Sequence, residues 1–273
     1  MARHRVYGRG MCLLIALFGV TDEAPLIVAA NRDERYTRPA VAMTVLRESG
    51  PRILGGRDEL AGGTWLAVNE HGVVAGLTNQ LSPAGRDLSK RSRGELPLAF
   101  AACRTAAEGV EVATAAIDPS AYNPCWMLVG DRDALFSVGL SGGHHPEVEE
   151  LPPGRHVLEN RPLHAESAKV TWITSLLAEQ LAARPGDVTG ALAAVLADHR
   201  PAPGAEPVTL PGGRVLPPQI SAACVHTPEY GTRSSMIVTV PAAGLPRLLV
   251  ADGPPCVTAL QDVDGLWVPT PAA

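Results

Sequence analysis

The sequence predicts an α+β domain, a four-layer αββα sandwich of two largely antiparallel sheets. Three observations predict it. Strand-length apolar runs are joined by short turns, as in hairpins. Stretches of helical length fall in groups between runs of strands, where they can cover the outer sheet faces. The repeated strand–helix alternation of a parallel doubly wound fold is missing. The 273 residues suffice for a sizeable core, and no internal repeat or compositional break divides them.

The first hairpin joins Leu13–Val20 to Leu26–Ala30 across the polar, proline-containing turn Thr21–Pro25. Ala40–Val45 reads as a short strand or extended loop, and Gly55-Gly56-Arg57-Asp58 and Gly62-Gly63 as turn clusters. The clearest hairpin is Thr64–Val68, the turn Asn69–Gly72, then Val73–Asn79. Ser92, with Glu95 three residues on, reads as a capping box opening one helix with Leu96, Leu98, Ala99, Phe100 and Cys103 on its apolar face. Asn123–Gly130 and Ala134–Leu140 form a further strand pair, and Arg155–Asn160 a short strand ending in asparagine. His164–Ala183 and Asp187–His199 have helical length and spacing, and the proline-rich stretch Arg200–Pro218 reads as a long loop. Ser221–His226, Ser235–Val240 and Arg247–Ala251 read as three more strands, with Trp267 ending a last one.

Composition excludes several function classes. A formal charge of −5 offers no basic footprint for nucleic acid or anionic membranes. No stretch approaches the roughly 20 apolar residues that span a bilayer, so stable membrane insertion is not expected. Five scattered cysteines without a C-x-x-C pair form neither a zinc pattern nor a disulfide framework. They fit a reducing, cytoplasmic setting. No metal and no cofactor are expected: His144-His145 lacks further ligands at metal spacing, and Cys103, Cys125, Cys224 and Cys256 read as core.

At the N-terminus, Arg3, His4, Arg5 and Arg9 precede an apolar run that is only strand-length and has no A-x-A-like site after it, so it is not a secretory signal. The expectation is that residues 1–10 are an extension and 11–273 the single working domain. Translation from Met11 and removal of that methionine leave Cys12 as residue one, with a free α-amino group.

That arrangement has a specific chemistry. Hairpin pairing brings Cys12, at the start of the first strand, near Arg32 and Asp33 at the end of the second. An N-terminal cysteine carries its own general base, an α-amine with an unperturbed pKa near 8. The amine takes the thiol proton, sulfur attacks an amide or ester carbonyl, and an acyl-enzyme forms. Asn79 and Asn160, at strand ends, can donate to the oxyanion, each worth about 2.7–4 kcal/mol in such a role. Asp33 can orient the ammonium, and Arg233 or Arg32 can steady the thiolate or a substrate carboxylate. Asn31, Arg32, Trp65 and Arg93 are the candidates for substrate contact. The bland readings are a buried small thiol for Cys12, turn-closing groups for Asp33 and Asn79, a core tryptophan for Trp65 and a helix start for Arg93.

The motifs M-C-L-L-I (Met11–Ile15), A-A-N-R-D-E (Ala29–Glu34), G-G-T-W-L (Gly62–Leu66), G-L-T-N (Gly76–Asn79), R-G-E-L (Arg93–Leu96) and Y-G-T-R (Tyr230–Arg233) occur in an order that resembles the NRDE family, that of transport and Golgi organisation protein 2. Members of that family also begin Met-Cys. The family in turn resembles N-terminal-nucleophile hydrolases of the choloylglycine and penicillin V acylase type. By position, the resemblance implies Cys12 as nucleophile, Asp33 as the superfamily aspartate, Asn79 and Asn160 as the two asparagines and Arg233 as the late arginine. One position departs: those hydrolases carry arginine three residues before the aspartate, where this chain has Ala30. Arg32 is adjacent to Asp33 instead, and adjacent strand residues point to opposite faces.

The function expected is hydrolysis of a non-peptide amide or related acyl bond of a small metabolite, through an acyl-thioester. The alternative is a non-catalytic binding or trafficking protein on the same fold. Its ligand, implied by the resemblance, is lipid, acyl-CoA or haem.

Overall fold

The computed structural model describes residues 12–80, 85–209, 213 and 215–268. The expected extension, residues 1–10, lies outside them. Two antiparallel sheets stack face to face between two helical layers. The first has the order β10-β1-β2-β13-β14-β15 and the second β3-β4-β5-β6-β7-β8-β9.

In the first sheet, β1 (Leu13–Phe18) and β2 (Leu26–Arg35) form the expected hairpin, with Leu13 opposite Asn31. The second sheet runs through β3 (Ala40–Arg47), β4 (Ile53–Asp58), β5 (Leu66–Asn69), β6 (Val74–Asn79), β7 (Cys125–Gly130), β8 (Leu135–Leu140) and β9 (Glu147–Glu150). The chain then returns to the first sheet as β10 (Gly154–Leu158), beside β1. Two short strands, β11 (Val208–Thr209) and β12 (Val215–Leu216), pair within the proline-rich loop. The first sheet is completed by β13 (Tyr230–Val240), β14 (Arg247–Ala251) and β15 (Gln261–Asp262).

Period-two alternation divides the core into layers. Leu14, Ala16, Val28 and Ala30 face the second sheet, meeting Leu66, Val68, Val74 and Leu128. Leu13, Ile15, Leu17 and Ile27 face outward onto α3 (Ala168–Ala183) and α4 (Val188–Ala197), burying Ile173, Leu177, Leu192 and Val195. The far face of the second sheet, with Ala75, Leu77, Met127 and Val129, is covered by α1 (Leu96–Phe100) and α2 (Ala106–Ala116) through Phe100 and Val110.

Five expectations are corrected. Trp267 closes a 3-10 turn, Asp264–Trp267, and ends no strand. Gly55 and Gly56 lie inside β4, not in a turn, because Trp65 and the Leu66 carbonyl approach that backbone too closely for a Cβ. The single helix after Ser92 is a 3-10 turn plus α1. The capping box is not made: Ser92 accepts from the Gly94 N–H, while Glu95 pairs with Arg91. A separate helix, α2, follows with its own box-like start, Thr105 accepting the Glu108 N–H. Residues 221–226 form no strand. The Cys224 and Val225 N–H groups go instead to the Asp198 carbonyl and the Thr232 hydroxyl.

Candidate active site

The β1–β2 register sets Cys12, just before the ladder, across from the Asn31–Glu34 segment. Cys12 is buried and lines a narrow cleft of about 80 Å³ together with Arg32, Asp33, Trp65, Asn79 and Arg93. Six of the nine residues singled out from sequence therefore meet in one place. Burial, then the nearby Asp33 charge, pushes the Cys12 thiol up to about 12, while the Asp33 amide and the Arg32 charge oppose the rise.

Asp33 is fully enclosed. Its Oδ1 accepts the Thr232 hydroxyl at 2.6 Å, and Lys169 Nζ lies 3.9 Å from Oδ2. Burial outweighs both neighbours and raises the carboxyl to about 7. Arg32 points the other way, as alternation requires. Its guanidinium lies 4.4 Å over the Trp65 ring and 3.4 Å from Asp58, which also accepts from Arg38 at 2.7 Å. Burial works to raise the Asp58 carboxyl, but the Arg38 hydrogen bond, the Ala61 amide and the two guanidinium charges leave it below its ordinary value. Although Arg32 and Asp33 face opposite sides, both border the cleft, because Cys12 sits where the ladder ends.

The opposite wall comes from two glycine motifs. Gly63 adopts φ +77° and packs so tightly on Gly94 that a Cβ would lie 2.4 Å from the Gly94 carbonyl. The Thr64 N–H donates to that same carbonyl at 2.8 Å. Gly62-Gly63-Thr64 is thus locked to Arg93-Gly94-Glu95, which fixes Trp65 and Arg93 at the cleft. Arg93 donates to the Pro124 carbonyl at 2.9 Å. Burial pulls its guanidinium below the ordinary arginine value, against the thiols of Cys125 and Cys12.

The three other candidates lie outside the cleft. Asn160 Nδ2 donates to the Asn79 backbone carbonyl, so it braces Asn79 from behind. Thr78 is held similarly, its hydroxyl donating to Glu159 O at 2.7 Å. Arg233 sits at the β13 bulge and donates to the carbonyls of Arg35 and Tyr36, anchoring the end of β2. Asn31, expected at substrate, faces the helices: Nδ2 donates to the carbonyls of Leu196 at 2.9 Å and Ala223 at 2.8 Å, and Oδ1 accepts the Ser235 hydroxyl.

Two residues touching Asp33 escaped the sequence reading. Lys169 had a signal, since it precedes Ile173 and Leu176 by four and seven residues and so belongs to the buried stripe of α3. Thr232, within Tyr230–Arg233, is placed by pairing with Asp33 across β2 and β13.

This geometry has counterparts among known proteins. The model of the family described as Transport and Golgi organisation 2 matches residues 11–248. The chain belongs to that family. A human relative, Transport and Golgi organization protein 2 homolog, is 32% identical over 235 residues, covering 80% of this chain and 83% of the relative. The Bos taurus homolog is 32% identical over 243 residues with the same coverage. Among solved structures, a Caenorhabditis elegans N-acylethanolamine-hydrolyzing acid amidase ortholog matches with TM-score 0.51 and 10% identity, covering 84% of this chain and 92% of that one. A point variant of conjugated bile acid hydrolase from Clostridium perfringens matches with TM-score 0.53 and 13% identity, covering 94% of both. This family member therefore has the fold of N-terminal-nucleophile hydrolases.

Proposed function

We propose that the protein is an N-terminal cysteine hydrolase that cleaves a small, non-peptide amide or related acyl bond. The observation that carries this reading is the grouping of the Cys12 thiol, Asp33, Arg32 and Asn79 around one narrow cleft. The names of two proteins sharing the fold, an acid amidase and a bile acid hydrolase, supply the reaction class.

The reading requires Cys12 to become residue one. Its α-amine then takes the thiol proton, and the sulfur attacks the acyl carbon. The Asn79 side-chain amide donates to the oxyanion. Collapse breaks the C–N bond, and the ammonium returns the proton to the departing amine. Water, deprotonated by the same α-amine, then hydrolyses the thioester to a carboxylic acid and restores the thiol. Ionised Asp33 favours the ammonium. The cleft is smaller than the roughly 300 Å³ of ordinary drug-sized ligand pockets, which favours a short acyl group. Arg32 and Arg93 suit an acyl part that carries an anionic group.

The test is a panel of short N-acyl amides presented to protein that starts at Cys12, with rapid quenching and mass measurement. The reading expects an acyl adduct on Cys12 and its loss in C12A. Turnover that survives C12A contradicts it.

A second reading rests on a larger cavity of about 540 Å³ between the start of α3 and two stretches, Gly204–Val208 and Leu216–Ser221. It has room for an acyl chain. Its described lining contains no His, Cys, Met or Tyr to serve as a haem axial ligand, so within this reading an acyl or lipid ligand fits better than haem. Saturable binding of a fluorescent fatty-acyl probe, displaced by fatty acid and unaffected by C12A, supports it.

A further inference from the structure

We propose that Cys224, His226, Cys256 and His199 form a binding site for one zinc ion, unconnected with the cleft chemistry. The two thiols and the His226 ring form a close triangle. Cys224 Sγ and Cys256 Sγ are 3.8 Å apart, and His226 Nε2 lies 3.4 Å from the first and 3.1 Å from the second. Donor atoms of His199, His226 and Cys256 all fall within 4.8 Å of one another.

These separations fit a tetrahedral ion. With Zn–S about 2.3 Å and Zn–N about 2.0–2.1 Å, tetrahedral angles set sulfur pairs about 3.8 Å apart and sulfur–nitrogen pairs about 3.6 Å apart. A disulfide instead needs about 2.0 Å, and both cysteines are free thiols. Two sulfurs with two imidazoles form a donor set suited to zinc, and four protein ligands make a closed, structural site. His226 and Cys256 have to part by about 0.5 Å, and His199 has to approach; it is exposed just beyond α4, where its ring already meets His226 edge-on with centroids 6.0 Å apart.

The backbone that carries the donors is held in place. Cys224 and His226 stand two residues apart, and the local chain path brings the sulfur and the ring to one side, 3.4 Å apart. The Cys224 N–H donates to the Asp198 carbonyl at 2.8 Å, tying that segment to the residue before His199. Asn31 bridges the same two segments through the carbonyls of Leu196 and Ala223. Cys256 sits in a turn in which the N–H groups of Val257 and Thr258 both donate to the Pro254 carbonyl. Binding balances as Zn²⁺ taken up and two thiol protons released, with no oxidant or reductant.

The experiment is a zinc titration of the reduced full chain against a chromophoric chelator, with a cobalt(II) spectrum of the same protein. The expected result is one zinc per chain at sub-micromolar Kd. Cobalt should show thiolate-to-metal charge transfer and tetrahedral ligand-field bands, a readout that needs no variant. C224S and C256S should each weaken zinc by more than about 100-fold, beyond the 10–100-fold that outer-shell changes cost, while C103S retains it. No zinc uptake by the reduced wild type, equal uptake by C224S and C256S, an octahedral thiolate-free cobalt spectrum, or a Cys224–Cys256 disulfide in freshly isolated protein overturns the site.

Discussion

Thr232 Oγ1 donates a 2.6 Å hydrogen bond to Asp33 Oδ1 and accepts the Val225 N–H at 2.8 Å. One hydroxyl thus ties the buried carboxylate to the segment after Ala223. T232V removes both bonds and leaves the buried Val225 N–H unpaired, at a cost of about 1–3 kcal/mol. The Asp33 carboxyl should also rise further, since the Thr232 hydrogen bond lowers it. Urea denaturation at pH 7 checks the first effect and carboxyl NMR titration the second.

Lys169 is the largest of the influences holding the Asp33 carboxyl down, against the larger effect of burial. K169M removes that cation, so Asp33 should titrate above about 7. The sign follows: at neutral pH a larger fraction becomes protonated, and the acid limb of any pH–rate profile moves to higher pH. In the wild type, a folded value of about 7 against an unfolded 3.8 means this carboxyl favours the folded state at acid pH. That contribution is lost as pH rises through 7. Carboxyl NMR titration of wild type and K169M checks the shift.

Much of this arrangement was legible in the sequence, for identifiable reasons. Hairpin logic alone placed Cys12 beside Arg32 and Asp33, because an antiparallel pair fixes which ends meet. Gly55 and Gly56 misled because glycine serves both turns and close approach, and only the tertiary fold brings Trp65 against β4. The roles of Asn31 and Arg233 could not be read, since strand position sets a side chain's face but not what covers that face. Cys224 and His226 are two residues apart in sequence, but Cys256 and His199 reach them only through the tertiary fold, so no spacing pointed to the group.

Trp65 lies between Gly56 and Arg32. A Cβ on Gly56 would stand 1.9 Å from the indole, so G56A must expel the ring. Overpacking of this kind costs about 1–3 kcal/mol, and the 4.4 Å contact with Arg32 is lost too. A lower urea midpoint with altered tryptophan emission is the expected outcome.

Asn31 tests a positioning role. N31D keeps the shape but sets carboxylate oxygens against the carbonyls of Leu196 and Ala223, now without donors. The loss should exceed that of N31A at pH 8 and shrink as pH falls and the carboxyl protonates. Denaturation of both variants across pH checks the crossover.

The central claim, a self-activating Cys12, is tested most directly by the intact mass of the protein expressed from its native gene in a related host, paired with the pH dependence of Cys12 alkylation. The account predicts a chain beginning at Cys12, with alkylation whose apparent pKa falls well below the value of about 12 set by burial and Asp33, because the freed ammonium favours the thiolate. A chain that retains residues before Cys12, with a thiol that stays unreactive until strongly alkaline pH, contradicts it.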